Sequence, residues 1–366
     1  MHRVIAVIAV TLLWTCIGAV STSYAAPRSF ATLALHTVAL PSSHPDKVML
    51  MAIALAGDRL VSVGENGTVA LSDDHGKVWR NATSVPVSVT LTNVAFATAT
   101  RGWAIGHQGV VLRTDDGGQT WIKQADGVSL AQASIVYWTR AIAAGGVNHE
   151  VELEHAQALL EDGPEKPLLA MRVDDEENLT VVGAFGIAFQ SSNGGATWEP
   201  VTALENEGHL HLYGVTRMHD RLLMAGEQGL LLDSARVVPA GYEGSFFGIV
   251  SDGQSGLFAY GLRGNIAVSL NDAHHWQVEQ AGAAALTCGL LLRSGQVLLC
   301  NQAGQVFVRD AAVEAFKVVD WQARAPLTGA VQLPDGDVVF SSLAGITRIP
   351  FSALFVQPPQ LVGASQ

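Results

Sequence analysis

Short apolar runs alternate with glycine-bearing polar turns along almost the whole sequence, and the clearest example spans residues 101–124, RGWAIGHQGVVLRTDDGGQTWIKQ. Gly102 to Ile105 and Val110 to Arg113 have strand-like composition and are joined by the tetrad Gly106-His107-Gln108-Gly109, whose glycines are expected to take positive φ and close a hairpin. A second turn, Thr114 to Gly118, leads into a strand at Thr120-Trp121-Ile122, and Leu91 to Ala97 supplies one more strand upstream. The unit is therefore four antiparallel strands, which bury both faces only by stacking on copies of themselves.

Such copies are present. Tetrads recur at Gly64-Glu65-Asn66-Gly67, Gly183-Ala184-Phe185-Gly186, Gly226-Glu227-Gln228-Gly229 and Gly261-Leu262-Arg263-Gly264, with weaker versions at Asn301-Gln302-Ala303-Gly304 and Ser342-Leu343-Ala344-Gly345. Their final glycines fall roughly 40 residues apart, the period of a propeller blade. The pattern predicts an all-β, seven-bladed β-propeller of four-stranded antiparallel blades.

One step, from Gly109 to Gly186, is nearly twice as long. Residues 128–166 lack strand alternation and space Ile135, Trp138 and Ile142, then Val151, His155, Ala158 and Leu159, like two helix faces. This reads as a helical insertion between blades two and three, broken at Gly145-Gly146 and ended by Gly163-Pro164. The last blade offers only three strands, so Phe30 to Val38 is expected to close the ring as its outer strand.

The outer turns carry the signature Ser/Thr-x-Asp/Asn-x-Gly-x-x-Trp. It occurs at Ser72, Asp74, Gly76 and Trp79, at Thr114, Asp116, Gly118 and Trp121, and at Ser191, Asn193, Gly195 and Trp198, with a decayed copy at Ser269, Asn271, Ala273 and Trp276. A short carboxylate or amide that bonds turn N–H groups, a glycine and a packing indole make this a structural box rather than a catalytic one.

Composition changes the picture in three ways. The chain has 366 residues, about half of them apolar, with 37 glycines and a formal net charge of −12, which argues against nucleic acid as the partner. Residues 1–25 read as a signal peptide cleaved near Ala25, leaving a mature propeller from residue 26 with no further run long enough to span a membrane. Export leaves Cys288 and Cys300, which lie opposite each other if a hairpin turns at Ser294; a disulfide and two buried thiols are both consistent with that spacing.

The combination GWAIG-x-x-G-VVLRTDDGGQTW, its variant copies and a helical insertion ending in GPEKPLLAM resembles the photosystem II assembly and stability factor family of propellers over essentially the whole mature chain. The box element alone is shared with sialidases and other BNR-repeat proteins. The resemblance implies a non-enzymatic assembly factor. Photosynthetic members display an arginine-rich surface, whereas this chain is acidic and keeps Arg113, Arg263 and few others at comparable positions. It is accordingly read as a periplasmic member from a non-photosynthetic bacterium, where relatives are associated with RND-type transporters.

No phosphate loop, nucleophile elbow or His-Glu-x-x-His motif occurs, so no catalytic residue, cofactor or metal is assigned. His209 and His211 alternate, yet no nearby cysteine or acidic ligand completes a site. A sialidase-like glycoside hydrolase is the alternative, with Tyr242, Glu243 and Arg348 as its nearest residues. In a four-stranded blade the second turn and the link to the next blade lie on one side. The tetrads and the insertion are thus expected to share a face displaying Glu65, Asn66, His107, Gln108, Phe185, Glu227, Gln228, Arg263 and Gln302, suited to a protein partner. The expected protein is a monomeric exported scaffold that binds a membrane protein complex.

Overall fold

The computed structural model describes residues 33–145, 149–309 and 315–355; the expected signal peptide lies outside them. The described residues form seven antiparallel sheets, each meandering outward from a central channel. Blade one comprises β1 (Leu50–Ala56), β2 (Arg59–Gly64), β3 (Val69–Ser72) and β4 (Arg80–Asn81), and blade two β5 (Leu91–Phe96), β6 (Gly102–Gly106), β7 (Val111–Thr114) and β8 (Ile122–Ala125). Helices α1 (Gly127–Ala143) and α2 (Glu150–Glu161) follow. Blade three is β9 (Leu168–Val173), β10 (Asn178–Gly183), β11 (Ala188–Ser192) and β12 (Glu199–Pro200); blade four is β13 (Leu212–Met218), β14 (Arg221–Gly226), β15 (Leu231–Asp233) and β16 (Arg236–Val237). Blade five is β17 (Phe246–Ser251), β18 (Leu257–Gly261), β19 (Asn265–Ser269) and β20 (Gln277–Gln280), and blade six β21 (Leu286–Leu291), β22 (Val297–Asn301), β23 (Gln305–Arg309) and β24 (Lys317–Gln322). Blade seven has β25 (Leu327–Gln332), β26 (Val338–Ser342) and β27 (Gly345–Ile349).

Each blade buries its second strand almost completely, so the apolar runs of the tetrad hairpins form the layers between blades. Trp103, for example, is fully buried against blade three and donates its indole N–H to the Gly194 carbonyl, 3.1 Å away. The boxes behave as the sequence implies. In blade two the Thr114 hydroxyl donates to Asp116 (2.8 Å), Asp116 accepts from the Thr120 N–H (2.9 Å) and hydroxyl (2.6 Å), and Trp121 donates to the Gly118 carbonyl (2.9 Å). The decayed copy keeps the same frame: Asn271 accepts from Ser269 and from the His275 N–H, while Ala273 occupies the positive-φ position of the box glycine.

Closure differs from expectation. Residues 33–37 make a helical turn rather than a strand, with the Thr37 hydroxyl donating to the Leu33 carbonyl (2.8 Å), and Leu35 packs beside Val85, Val87 and Val89 near blades one and two. That apolar layer outcompetes the edge of blade seven for the leading segment; residues 30–32 lie outside the described residues. The ring closes instead through direct contacts between first and last blades: the Ile346 N–H donates to the Asp46 carbonyl (2.9 Å) and the Thr328 hydroxyl to the Leu50 carbonyl (2.7 Å). The Thr328 bond recurs at other inner-strand junctions, from Thr92 to Leu168 and from Thr287 to Leu327, both at 2.6 Å.

Arginines tie the blades together farther out. Arg59 donates to the Gly117 carbonyl of blade two (3.0 Å), Arg101 pairs with Glu176 (3.2 Å), Arg217 with Asp174 (2.9 Å), Arg221 with Asp272 (2.5 Å) and Arg309 with Glu279 (2.7 Å). Cys288 and Cys300, directly opposed across β21 and β22, are joined as a disulfide.

Candidate partner-binding face

The tetrads are built differently from the expectation that both glycines take positive φ. The final glycine does so, at +71° for Gly67, +68° for Gly109 and +74° for Gly264, and so does the residue before it, at +53° for Asn66, +59° for Gln108 and +57° for Arg263. The first glycine is extended, and its requirement is space: a Cβ on Gly64, Gly106, Gly183, Gly226 or Gly261 would fall on the carbonyl oxygen of Met49, Thr90, Pro167, His211 or Ser245. Those carbonyls accept from the next tetrad N–H, as in Glu65 to Met49 and His107 to Thr90. Each tetrad is thereby locked over the start of its blade's inner strand.

That start carries a feature the sequence reading missed. In every blade the register slips by one residue after the first inner position, leaving Met51, Thr92, Leu169, Tyr213, Phe247, Thr287 and Thr328 as bulges. A bulge re-aims its side chain, and all seven line one end of a central channel of about 470 Å³. No carboxylate or arginine is among the channel-lining residues. Three bulges are threonines whose hydroxyls are used on the next blade's carbonyl, and four, on blades one, three, four and five, are apolar or aromatic. The sequence signal was a bulky residue directly after the fully buried first inner residue, Leu212 or Phe246.

The insertion stands on the tetrad side, as expected. Asp126 caps α1, accepting from the Ser129 N–H (3.1 Å) while its own N–H donates to the Ser129 hydroxyl (2.9 Å). Gly127 is wedged between the carbonyls of Gln108 and Pro164, and the buried Lys166 donates to the carbonyls of Leu159 (3.1 Å) and Gly163 (3.0 Å) at the end of α2. The buried stripe of α1 is Leu130, Ser134 and Trp138, and Ala156 is the buried residue of α2. Val151 and Ala158 point outward, so the inward face of α2 is rotated from the one expected; Gly146 lies outside the described residues.

Of the nine residues expected on this face, Gln108 is not displayed: it is 6% exposed beneath the insertion, donating to Glu165 (3.2 Å). Asn66, His107, Phe185, Gln228, Arg263 and Gln302 are exposed. Glu65 and Glu227 are half-buried, accepting from the backbone N–H of Met49 (3.1 Å) and His211 (3.0 Å). His209 and His211 do not converge. The first stacks on His155 of α2 at 3.6 Å between ring centres, and the second accepts from the Phe185 N–H (3.1 Å). Burial first, then the neighbouring His209 and Lys166, push His155 down to about 4, so it is neutral near pH 7. Burial, then the Glu227 charge, raise the Tyr213 hydroxyl above the usual tyrosine value.

The residues nearest to a glycosidase set are not assembled. The Tyr242 hydroxyl donates to the Leu262 carbonyl (3.0 Å) beside blade five, and Arg348 of blade seven is held by Asp335 (2.8 Å) and Asp337 (2.7 Å). No group of three or more His, Cys, Asp or Glu side chains arranged to hold a metal exists among the described residues.

Residues 75–140 match the family model described as photosynthesis system II assembly factor YCF48. That match covers blade two with its box, the end of blade one and most of α1, within a chain whose fold is a seven-bladed propeller. A YCF48 bound to D1 peptide is similar at TM-score 0.57 and 15% identity, over 84% of this chain and 95% of that one. YCF48 from Cyanidioschyzon merolae is similar at 0.56 and 14%, over 84% and 97%, and the WD40 β-propeller domain of Doa1 at 0.60 and 11%, over 85% and 95%. At these identities the structural likenesses establish the fold, and because Doa1 fits as well as YCF48 does, backbone shape by itself selects no partner. No curated protein matches the sequence.

Proposed function

We propose that this protein is an exported, non-catalytic assembly factor that binds a segment of a membrane protein complex on its tetrad face, with α1 and α2 forming one wall of the site. The observation that carries the reading is the joint construction of that face. The blade-two tetrad is fixed to the insertion through Gln108, Gly127 and Glu165, and the mouth of an uncharged channel opens on the same side. The match of residues 75–140 to the YCF48 family model and the likeness to a peptide-bound YCF48 support protein binding as the activity of such a propeller. The arginines noted above serve as blade-to-blade ties, which sets this acidic chain apart from a scaffold that presents a guanidinium surface.

We place the protein in the periplasm after removal of residues 1–25, and name an RND-type transporter as the complex; both rest on sequence resemblance. The test is co-purification from crosslinked membranes with the intact protein and with a form in which residues 128–166 are replaced by a short loop. Recovery of the transporter by the intact protein and its loss on replacement is expected. Equal recovery by both forms would remove the insertion from the site, and recovery of some other complex would refute the transporter.

A further inference from the structure

Phe185 occupies an unusual position. In the tetrads of blades one, two, four and five the left-handed residue is Asn66, Gln108, Gln228 or Arg263, whereas blade three places a phenylalanine there at φ +56°. A bulky side chain is costly in that region. Core packing does not explain it, since Phe185 is 45% exposed.

Its ring instead begins a track. Phe185 meets His211 at 5.0 Å between centres, His211 meets Tyr213 at 6.1 Å, and Tyr213 meets Phe247 at 5.5 Å, each edge to face. Tyr213 and Phe247 are bulge residues of the channel mouth, with apolar Leu169 beside them. A continuous aromatic surface therefore runs from the exposed tetrad of blade three into the channel. On its blade-three and blade-four side the charges are acidic, with Arg263 of the blade-five tetrad the exposed base on the far side. Glu227 lies 3.6 Å from His211, and α2, which is stacked through His155 on the loop leading to His211, exposes Glu150, Glu154 and Glu161.

We propose that this track is the anchor site for an aromatic side chain on a basic peptide segment: the ring enters the channel mouth against Tyr213 and Phe247, Phe185 covers it, and flanking lysines or arginines face Glu227 and α2. Charge complementarity selects this occupant, because an acidic segment or an anionic lipid surface would meet like charge. The inference rests on the partner-binding reading of the tetrad face.

The test uses the full chain and a fluorescein-labelled peptide of sequence Gly-Lys-Ser-Lys-Phe-Lys-Ser-Gly-Gly. Controls replace its Phe by Ser, or every Lys by Glu, and binding is read by anisotropy. The first peptide is expected to bind at least about tenfold more tightly than either control, and Phe185→Asn and Phe247→Ser to weaken it by about tenfold or more. Phe185→Asn also relieves the left-handed strain, so its melting temperature should not fall, which separates lost binding from lost folding. Equal binding of the three peptides, or unchanged affinity in Phe185→Asn, would overturn the proposal. A dimer seen by sedimentation and abolished by Phe185→Asn would also overturn it, assigning the track to self-contact. In the co-purification above, loss on replacing the insertion but retention with Phe185→Asn would leave the face standing and remove the anchor; retention in both would remove both.

Discussion

Arg348 of β27 donates to the carbonyl oxygen of His75 at 2.7 Å, across the junction of last and first blades and 273 positions apart in the chain. The same guanidinium pairs with Asp335 and Asp337, so this side chain reinforces the closing seam that the Ile346–Asp46 and Thr328–Leu50 bonds form. Arg348→Met leaves two carboxylates facing each other and a carbonyl without that donor. Because the group is a quarter exposed, we expect a loss of about 1–2 kcal/mol rather than the full cost of a buried pair. Urea unfolding measures it, and an unchanged midpoint would show that the seam is held elsewhere.

Gly106 tests the account of the tetrads. Its backbone is extended, so alanine is conformationally acceptable, but the added Cβ would strike the Thr90 carbonyl. Gly106→Ala should therefore cost about 2–4 kcal/mol, in the range of severe local overpacking. A variant as stable as the parent in thermal melts would refute the close-approach explanation.

The blade-two box predicts which substitutions are tolerated. Asp116→Ala removes the acceptor for Thr114 and Thr120 and should cost about 1–2 kcal/mol, whereas Asp116→Asn should cost less, because Asn193 fills the same role in blade three. Acidity adds a second readout. The Val78 N–H and the Ser72 hydroxyl hold Asp74 below the usual aspartate range; at Asp116 burial pushes the other way, and the hydrogen bonds from Thr120 and Thr114 outweigh it. Folded values below unfolded ones mean stability that is complete above the unfolded pKa of about 4 and lost as pH falls through the folded values. Asp116→Asn should flatten that acid loss in calorimetric scans; an unaltered acid limb would contradict the assignment.

Much of this was legible from short-range pattern. Seven blades, the box turns and two helices between blades two and three follow from glycine spacing and hydrophobic periodicity, both local properties. Ring closure was not legible, because the choice between pairing residues 30–38 on β27 and packing Leu35 beside Val85 is a contest of tertiary surfaces. The bulges were hidden for a related reason: Tyr213 and Phe247 read as ordinary strand residues until the register shows that they are unpaired. Gln108 was misassigned to the surface because the sequence places the insertion above the face without saying which tetrad it covers.

His155 makes the insertion sensitive to acid. With a folded value near 4 against 6.5 for an ordinary histidine, its contribution is complete above about pH 6.5 and is lost progressively as pH falls toward 4. Protonation would set a charge against stacked His209 and nearby Lys166. Hydrogen exchange in α2 should therefore speed up between pH 7 and pH 5 relative to the blades, after correction for intrinsic rates, and His155→Phe should remove the difference. Uniform protection across that range would refute the coupling.

The central claim, that the tetrad face and not the box face meets the partner, is tested most directly by site-specific photocrosslinking in cells. A photoreactive amino acid is placed at His107 or Gln228 on one side and at Lys77 in the box turn on the other, all three exposed positions. Adducts to a membrane protein from positions 107 and 228, with none from position 77, are the predicted result; adducts from position 77 alone would contradict the account.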